Sequence, residues 1–414
     1  MSEPSGLPTL KNIKPLLLPA AVIYAMVIIV MPDFGHDWDT ACWWMWASQL
    51  KEQGIVSAYD EHSTINYLPL FPYILKLYSM FLDYSQLASH IHYLKAITWL
   101  FDTASILLLC SMLSTESKRL NYFIYGLLNV GFFYNTLIWN QVDGILSFFV
   151  FASFWCGWQK KQLLSILLFV MALNFKLQGI VFAPVLAIFW LSDISIKKAA
   201  VRLFAVVVLQ AVILLPFLIN GNVKFMLKVA FGSVDYFSFV SLNAFNIWHL
   251  LIDGNLRYMP DNTEFVLGMT HKSFGLLMFV IAMLFICAPL YYQLLKKRLK
   301  GEVLQLNLYL MLMAMALTGY VFYFFNTQMH ERYIHPVLIF ITALAFIYRH
   351  WVVWLLVSIA YALSLEFVCR YFALNNYNTL IFHPKFMASL FAIGLVILAV
   401  KWVKLVKLFV FEKH

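Results

Sequence analysis

Charge is what this chain has least of: 12% of its 414 residues are Asp, Glu, Lys or Arg, while 63% are hydrophobic. A water-soluble domain carries roughly a quarter of its residues as charge, so a soluble globular protein is excluded. Cysteine is also scarce. Cys42, Cys110, Cys156, Cys287 and Cys369 are scattered, mostly in apolar runs, and no CxxC occurs. That pattern suggests neither a disulfide framework nor a zinc site. Internal repeats, low-complexity tracts and flexible linkers are lacking too, which leaves one integral domain, 1–414, as the simplest organisation.

What is present is a succession of apolar runs, with a mean hydropathy of +0.79. Such a chain reads as an all-α polytopic membrane protein. The first run, 15–31, follows Lys11 and Lys14 and meets no small-x-small cleavage site before Asp33, so it reads as a retained helix, not a removed signal peptide. Further helices are expected over 94–114, 120–139, 143–158, 163–173, 179–191, 201–219, 273–295, 303–325, 336–348, 351–372 and 384–404. Together they number twelve, and an even number returns the chain to its starting side. The stretch 163–191 is interrupted by NFKLQG and has lysine pairs at both ends, Lys160/Lys161 and Lys197/Lys198. Two short helices that meet at a buried turn therefore fit it better than one spanning helix.

Basic residues orient the array. The N-terminus and every second loop hold 18 of the 29 Lys and Arg in short segments, among them Lys118, Arg119, Arg202, Lys296, Lys297, Arg298, Lys300, Arg349, Lys401, Lys404, Lys407 and Lys413. The longer opposite loops hold the other 11, with 15 of the 20 acidic residues. Both termini are thus expected on the cytoplasmic side of an inner membrane. The net charge of +9 is a topology signal and does not point to nucleic acid.

The polar residues that stand out fall on the external side. In 326–336, NTQMHERYIHP, the residues His330, Glu331, Arg332, Tyr333 and His335 lie between two apolar runs. A charge near hydrocarbon costs roughly 2.5–3.5 kcal/mol on insertion scales, so such a cluster marks a site. Pro336 suits the first helical turn and is expected to keep His335 out of helical geometry. The first external segment, 33–93, opens with His36, Asp37 and Asp39, then Trp43, Trp44 and Trp46 on an amphipathic helix. It reads either as an acidic site at headgroup level or as a solvated acidic turn with an aromatic anchor. Pro69 and Pro72 break the chain before a second interfacial helix. Asp102 stands alone in an apolar run and faces either a polar cavity or an interhelical hydrogen bond. Asn140, Gln141 and Asp143 lie at the external end of their runs, and the three-residue spacing of Asn140 and Asp143 places both on one helix face. Asn174, Lys176 and Gln178 occupy the turn of the short pair, where Lys176 either snorkels or offers a charge to an anion. The long loop 220–272, with Tyr236, Asn243, Asn246, His249, Arg257 and Lys272, has the length of a lid or an acceptor-binding element.

Carboxylates able to take a proton, beside cations able to hold a phosphate at the lipid–water boundary, suit an anionic lipid-linked substrate. The ordered set DTACWWMWA (39–47), YLPLFPYIL (67–75), WNQVDG (139–144), FKLQG (175–179) and MHERYIHP (329–336) resembles the GT-C superfamily of membrane glycosyltransferases. The likeness is nearest to bacterial relatives of the GPI and dolichyl-phosphate-mannose-dependent mannosyltransferases. It departs from their pattern at Leu68 (often proline), Asn140 (glycine), Leu177 (proline) and His335 (phenylalanine). The resemblance implies a GT-C-like helical bundle and inverting transfer of a sugar, hexosyl or mannosyl, from a polyprenyl-phosphate donor to a hydroxyl of a glycan, lipid or protein acceptor outside the membrane. It implies an aspartate base seven residues before a Trp-Ala pair, which selects Asp39, with Asp37 second. Arg332, Lys176 and His330 are then expected on the donor phosphate. Asn140, Gln141, Asp143, Gln178, Glu331, Tyr333 and His335 are expected to orient substrate or the cations. No cofactor is expected. A divalent metal between Asp37 and Asp39 is conceivable, but two carboxylates alone are too few to define its site. The competing class is a secondary transporter, in which intramembrane ionisable residues mark a substrate path.

Overall fold

A computed structural model describes residues 10–113, 116–232, 236–301 and 306–411. Residue 114 of the expected 94–114 helix, residues 303–305 of the 303–325 helix, residues 233–235 of the long loop and Lys413 lie outside the described residues. The described chain is almost entirely helical; its one sheet is a two-stranded hairpin, Glu264–Val266 against Met269–Thr270.

Among the described residues seven stretches are long and apolar enough to cross a membrane: Tyr84–Ser111, Ile196–Ile219, His271–Lys300, Leu308–Phe325, Glu331–Tyr348, Trp351–Cys369 and Pro384–Val410. Four more are apolar but shorter, Lys14–Val30, Asp143–Trp158, Gln162–Phe175 and Leu177–Ser192. The expected count of twelve crossing helices is corrected in this way, and the expected helix over 120–139 is broken at 128–129. The helix Glu116–Leu127 stops, and the buried Asn129 caps a new turn by accepting from Gly131 N at 2.9 Å. Its amide Nδ2 donates to Ser358 Oγ at 2.7 Å. The chain then widens into a π-turn over Tyr134–Ile138, closed by Trp139 N donating to Tyr134 O at 2.8 Å. An i→i+5 turn is rare and is frequently found at functional sites. Here it delivers Trp139 and Asn140 to the site.

Leu308–Phe325 and His335–Tyr348 form the buried centre of the bundle. Ile196–Ile219 and His271–Lys300 lie at the periphery with most of their apolar surface open, for example Phe204 and Leu284. Helices that bury so little of an apolar surface are suited to a lipid solvent. Basic residues from different loops meet at one end. Lys198 and Arg202 bracket Asp193 at 2.7 and 2.8 Å, and Arg298 Nη2 donates to Leu191 O at 2.9 Å. Lys297 donates to Ser192 O. The expected pair of short helices is present, with the break at Lys176, whose backbone is extended between Gln162–Phe175 and the 3-10 turn Leu177–Phe182.

The segment 33–93 forms the helix Asp37–Gln53 and, after the prolines, the helix Leu70–Ser79. Trp43 and Trp46 are not headgroup anchors. Both are buried against Tyr67 and Phe71, with indole N–H groups donating to Asn140 O at 3.0 Å and Thr64 Oγ1 at 3.1 Å. The long loop is bound to the 326–330 segment through the main chain. Leu242 N donates to Met329 O at 2.9 Å and Gln328 N to Phe239 O at 3.0 Å. Asp261 reinforces the seam by accepting from Thr327 Oγ1 at 2.7 Å.

Candidate active site

The site begins where the chain enters the helix Asp37–Gln53. The fully buried Lys95 donates to Pro32 O at 2.7 Å and to Phe34 O, which pins the entry. Gly35 then passes against the 139–140 turn so closely that a Cβ there would lie 2.9 Å from Asn140 Cβ and 2.5 Å from Thr40 Oγ1. His36 N donates to Trp139 O at 2.8 Å, and the His36 ring stacks on Trp139 with centroids 4.5 Å apart. Asn140 takes φ +69°, the left-handed region that glycine enters freely and Asn better than most other residues. This turn precedes the helix Asp143–Trp158, so Asn140 and Asp143 do not share a helix face as expected.

Around that joint the acidic and basic groups gather. Asp39 Oδ2 accepts from Trp139 Nε1 and from Gln141 Nε2, both at 2.7 Å. Lys176 Nζ lies 2.8 Å from Asp143 Oδ1 and sits over the rings of Tyr333 and Tyr67, at 4.8 and 5.7 Å from their centroids. Arg332 stands between the two aspartates: Nη2 is 3.9 Å from Asp39 Oδ1 and Nε is 3.9 Å from Asp143 Oδ2. Its Nη1 donates to Glu331 Oε1 at 2.9 Å. Gln178 Nε2 donates to Tyr333 O at 3.2 Å. His330 packs between Phe237 and Tyr333, and its backbone bridges Leu242 and Asn243.

Polar atoms of this cluster that are buried without a hydrogen-bond partner include Arg332 Nε, Asp143 Oδ2, Gln178 Oε1, Asn140 Nδ2 and His36 Nδ1. Buried polar atoms in folded proteins are nearly always paired. Several together in one cluster leave donors and acceptors available to a ligand. Burial acts on the Asp39 carboxyl to raise its pKa, but the Arg332 charge and the groups of His36 and Trp139 outweigh it and hold it well below the usual carboxylate range. Burial likewise opposes charge on Lys176, yet Asp143 prevails and keeps the ammonium charged above its ordinary range. Burial raises Tyr67 to about 12, and burial together with the Arg332 and Lys176 charges keeps His330 neutral.

Two expected residues lie apart from this cluster. Asp37 is exposed on the other side of its helix from the buried Asp39, so the two carboxylates do not converge on one ion. His335 is helical (φ −52°, ψ −46°), contrary to the restriction expected before Pro336, because the 3-10 turn Glu331–Ile334 runs directly into the next helix. Its ring faces the bundle interior, where Nε2 is 3.8 Å from Asp102 Oδ1 and Nδ1 is 3.3 Å from Tyr361 Oη. Asp102 also accepts from Thr136 Oγ1 at 2.6 Å, the interhelical hydrogen bond, and Gly144 leaves room for its carboxylate. Among the described residues no three His, Cys, Asp or Glu side chains are placed to hold a metal ion.

His36, Tyr67 and Trp139 join the site without having been assigned to it from sequence. His36 and Trp139 stand beside the assigned Asp37 and Asn140, whereas Tyr67 has no assigned neighbour in sequence; tertiary contacts bring the three into the site. No protein-family model matches the chain, and no curated protein matches it.

Proposed function

We propose that this protein is a GT-C-type inverting glycosyltransferase that moves a hexose, such as mannose, from a polyprenyl-phosphate donor to an acceptor hydroxyl. The observation that carries this reading is that Arg332 Nε and Asp143 Oδ2 face each other at 3.9 Å, buried and without a hydrogen bond, inside a cluster that also holds Lys176 and Asp39. Arg332 and Lys176 offer N–H donors to a phosphate whose charge grows as it leaves, the kind of fixed electrostatic stabilisation that contributes most to such reactions. Glu331 holds the Arg332 guanidinium, and Asp143, Gln141 and Gln178 face the space where sugar hydroxyls would lie. The acceptor hydroxyl attacks the anomeric carbon in line with the departing phosphate oxygen, and its proton leaves at the Asp39 end of the site. The apolar peripheral helices suit the polyprenyl chain.

The basic loops support an orientation with both termini cytoplasmic and the site on the external face of the inner membrane. The loop over 236–270, bound by its main chain to the segment that carries Arg332, is suited to close over the acceptor. Mass spectrometry of cell-envelope glycans from a strain without this protein tests the proposal. Loss of one hexose from a defined glycan is the expected result. An unchanged glycan profile, together with solute accumulation by the protein in sealed vesicles, would establish the transporter instead.

A further inference from the structure

Asp39 is a poor proton acceptor where it stands. Its Oδ2 already accepts two hydrogen bonds at 2.7 Å, and Arg332 faces its Oδ1 at 3.9 Å. Beside it is a group with the opposite qualities. His36 Nδ1 is buried, has no aligned hydrogen bond, and lies 3.2 Å from Asp39 Oδ2. The imidazole is set in place by stacking on Trp139 at 16° between planes and by its own backbone N–H on Trp139 O. The other ring nitrogen, Nε2, has no partner among the described residues, and the side chain is 26% exposed against 11% for Asp39.

We infer that His36 is the catalytic residue that receives the acceptor proton, with Asp39 as its positioning residue. The inference rests on the proposed glycosyl transfer and names the base within it. The approach of Asp39 Oδ2 to 3.2 Å favours the proton of His36 on Nδ1, which leaves the Nε2 lone pair free; the same logic operates wherever a carboxylate sets a histidine tautomer. The step balances. The acceptor oxygen forms a bond to the anomeric carbon while the bond from that carbon to the phosphate oxygen breaks. The phosphate leaves with the electron pair, held by Arg332 and Lys176, and the hydroxyl proton passes to Nε2. The imidazolium is stabilised by Asp39 until solvent takes the proton.

The test is steady-state transfer from polyprenyl-phosphate mannose, glucose and galactose to total cell-envelope glycolipid, by wild type, His36→Gln and His36→Ala. Transfer by the wild type checks the glycosyltransferase reading on its own; absence of it for every donor sinks that reading before His36 is in question. Given wild-type activity, His36→Gln, which retains an N–H for Asp39, is expected to lower kcat about 100-fold with the donor KM within about threefold. Added imidazole is expected to restore His36→Ala. His36→Gln within about threefold of wild-type kcat, or a folded His36→Ala that imidazole does not restore, overturns the assignment.

Discussion

Lys176 Nζ rests 2.8 Å from Asp143 Oδ1, so the break between two short helices is tied to the first residue of a third. Both partners are largely buried, and removing one of them leaves the other as an uncompensated charge. Lys176→Met should therefore destabilise the protein by about 3 kcal/mol. The double variant Lys176→Met with Asp143→Leu should recover much of the loss. Thermal unfolding of the four proteins in lipid nanodiscs measures the coupling, and additive losses would show that the pair is not coupled.

Gly35 is required by close approach. A methyl group there would press on Asn140 Cβ at 2.9 Å and on Trp139 O at 3.3 Å, both part of a turn held by main-chain bonds. Gly35→Ala should cost about 2 kcal/mol, as overpacking does, and should pull the His36 ring from Trp139. Unfolding temperature and tryptophan fluorescence report the two effects separately.

Asn140 is held at φ +69° and its Nδ2 bonds to no protein group. Asn140→Gly should therefore leave stability nearly unchanged, whereas Asn140→Ala should lose about 1 kcal/mol from left-handed strain. Equal stability of the Gly and Ala variants would refute the backbone explanation.

The depressed pKa of Asp39 has a sign that can be measured. Ionised Asp39 contributes stability that is fully present above the ordinary carboxylate range and is lost as pH falls through the lower folded value. The stability difference between wild type and Asp39→Asn should shrink as pH falls below about pH 4. A difference that stays flat through that acid range would contradict it.

Legibility in the sequence followed the chemistry. Arg332 and Glu331 stood out because charge between apolar runs needs a reason, and Lys176 because lysine pairs on both sides of 163–191 demanded a turn. The stop after Leu127 was hidden, since the cap on Asn129 and the π-turn behind it lie in a run of helical hydrophobicity. Trp43 and Trp46 carried a composition that suits both a headgroup belt and a core; only packing on Phe71 decides. His335 was read toward the substrate because its neighbours in sequence are there, whereas one further residue on the helix turns the ring to Asp102. His36 and Tyr67 enter the site through tertiary contacts with Trp139 and Lys176, which no local pattern records. The seam between 239–242 and 328–329 is made by backbone groups and has no side-chain signature.

The central claim is that Asp39 and Arg332, 3.9 Å apart across the cluster, serve one transfer reaction while the exposed Asp37 does not. It is tested most directly by sugar transfer from a polyprenyl-phosphate hexose by wild type, Asp39→Asn, Arg332→Ala and Asp37→Asn. Losses of about 100-fold or more are expected for Asp39→Asn and Arg332→Ala, with Asp37→Asn close to wild type. Full activity in Asp39→Asn or Arg332→Ala would contradict it, as would a comparable loss in Asp37→Asn.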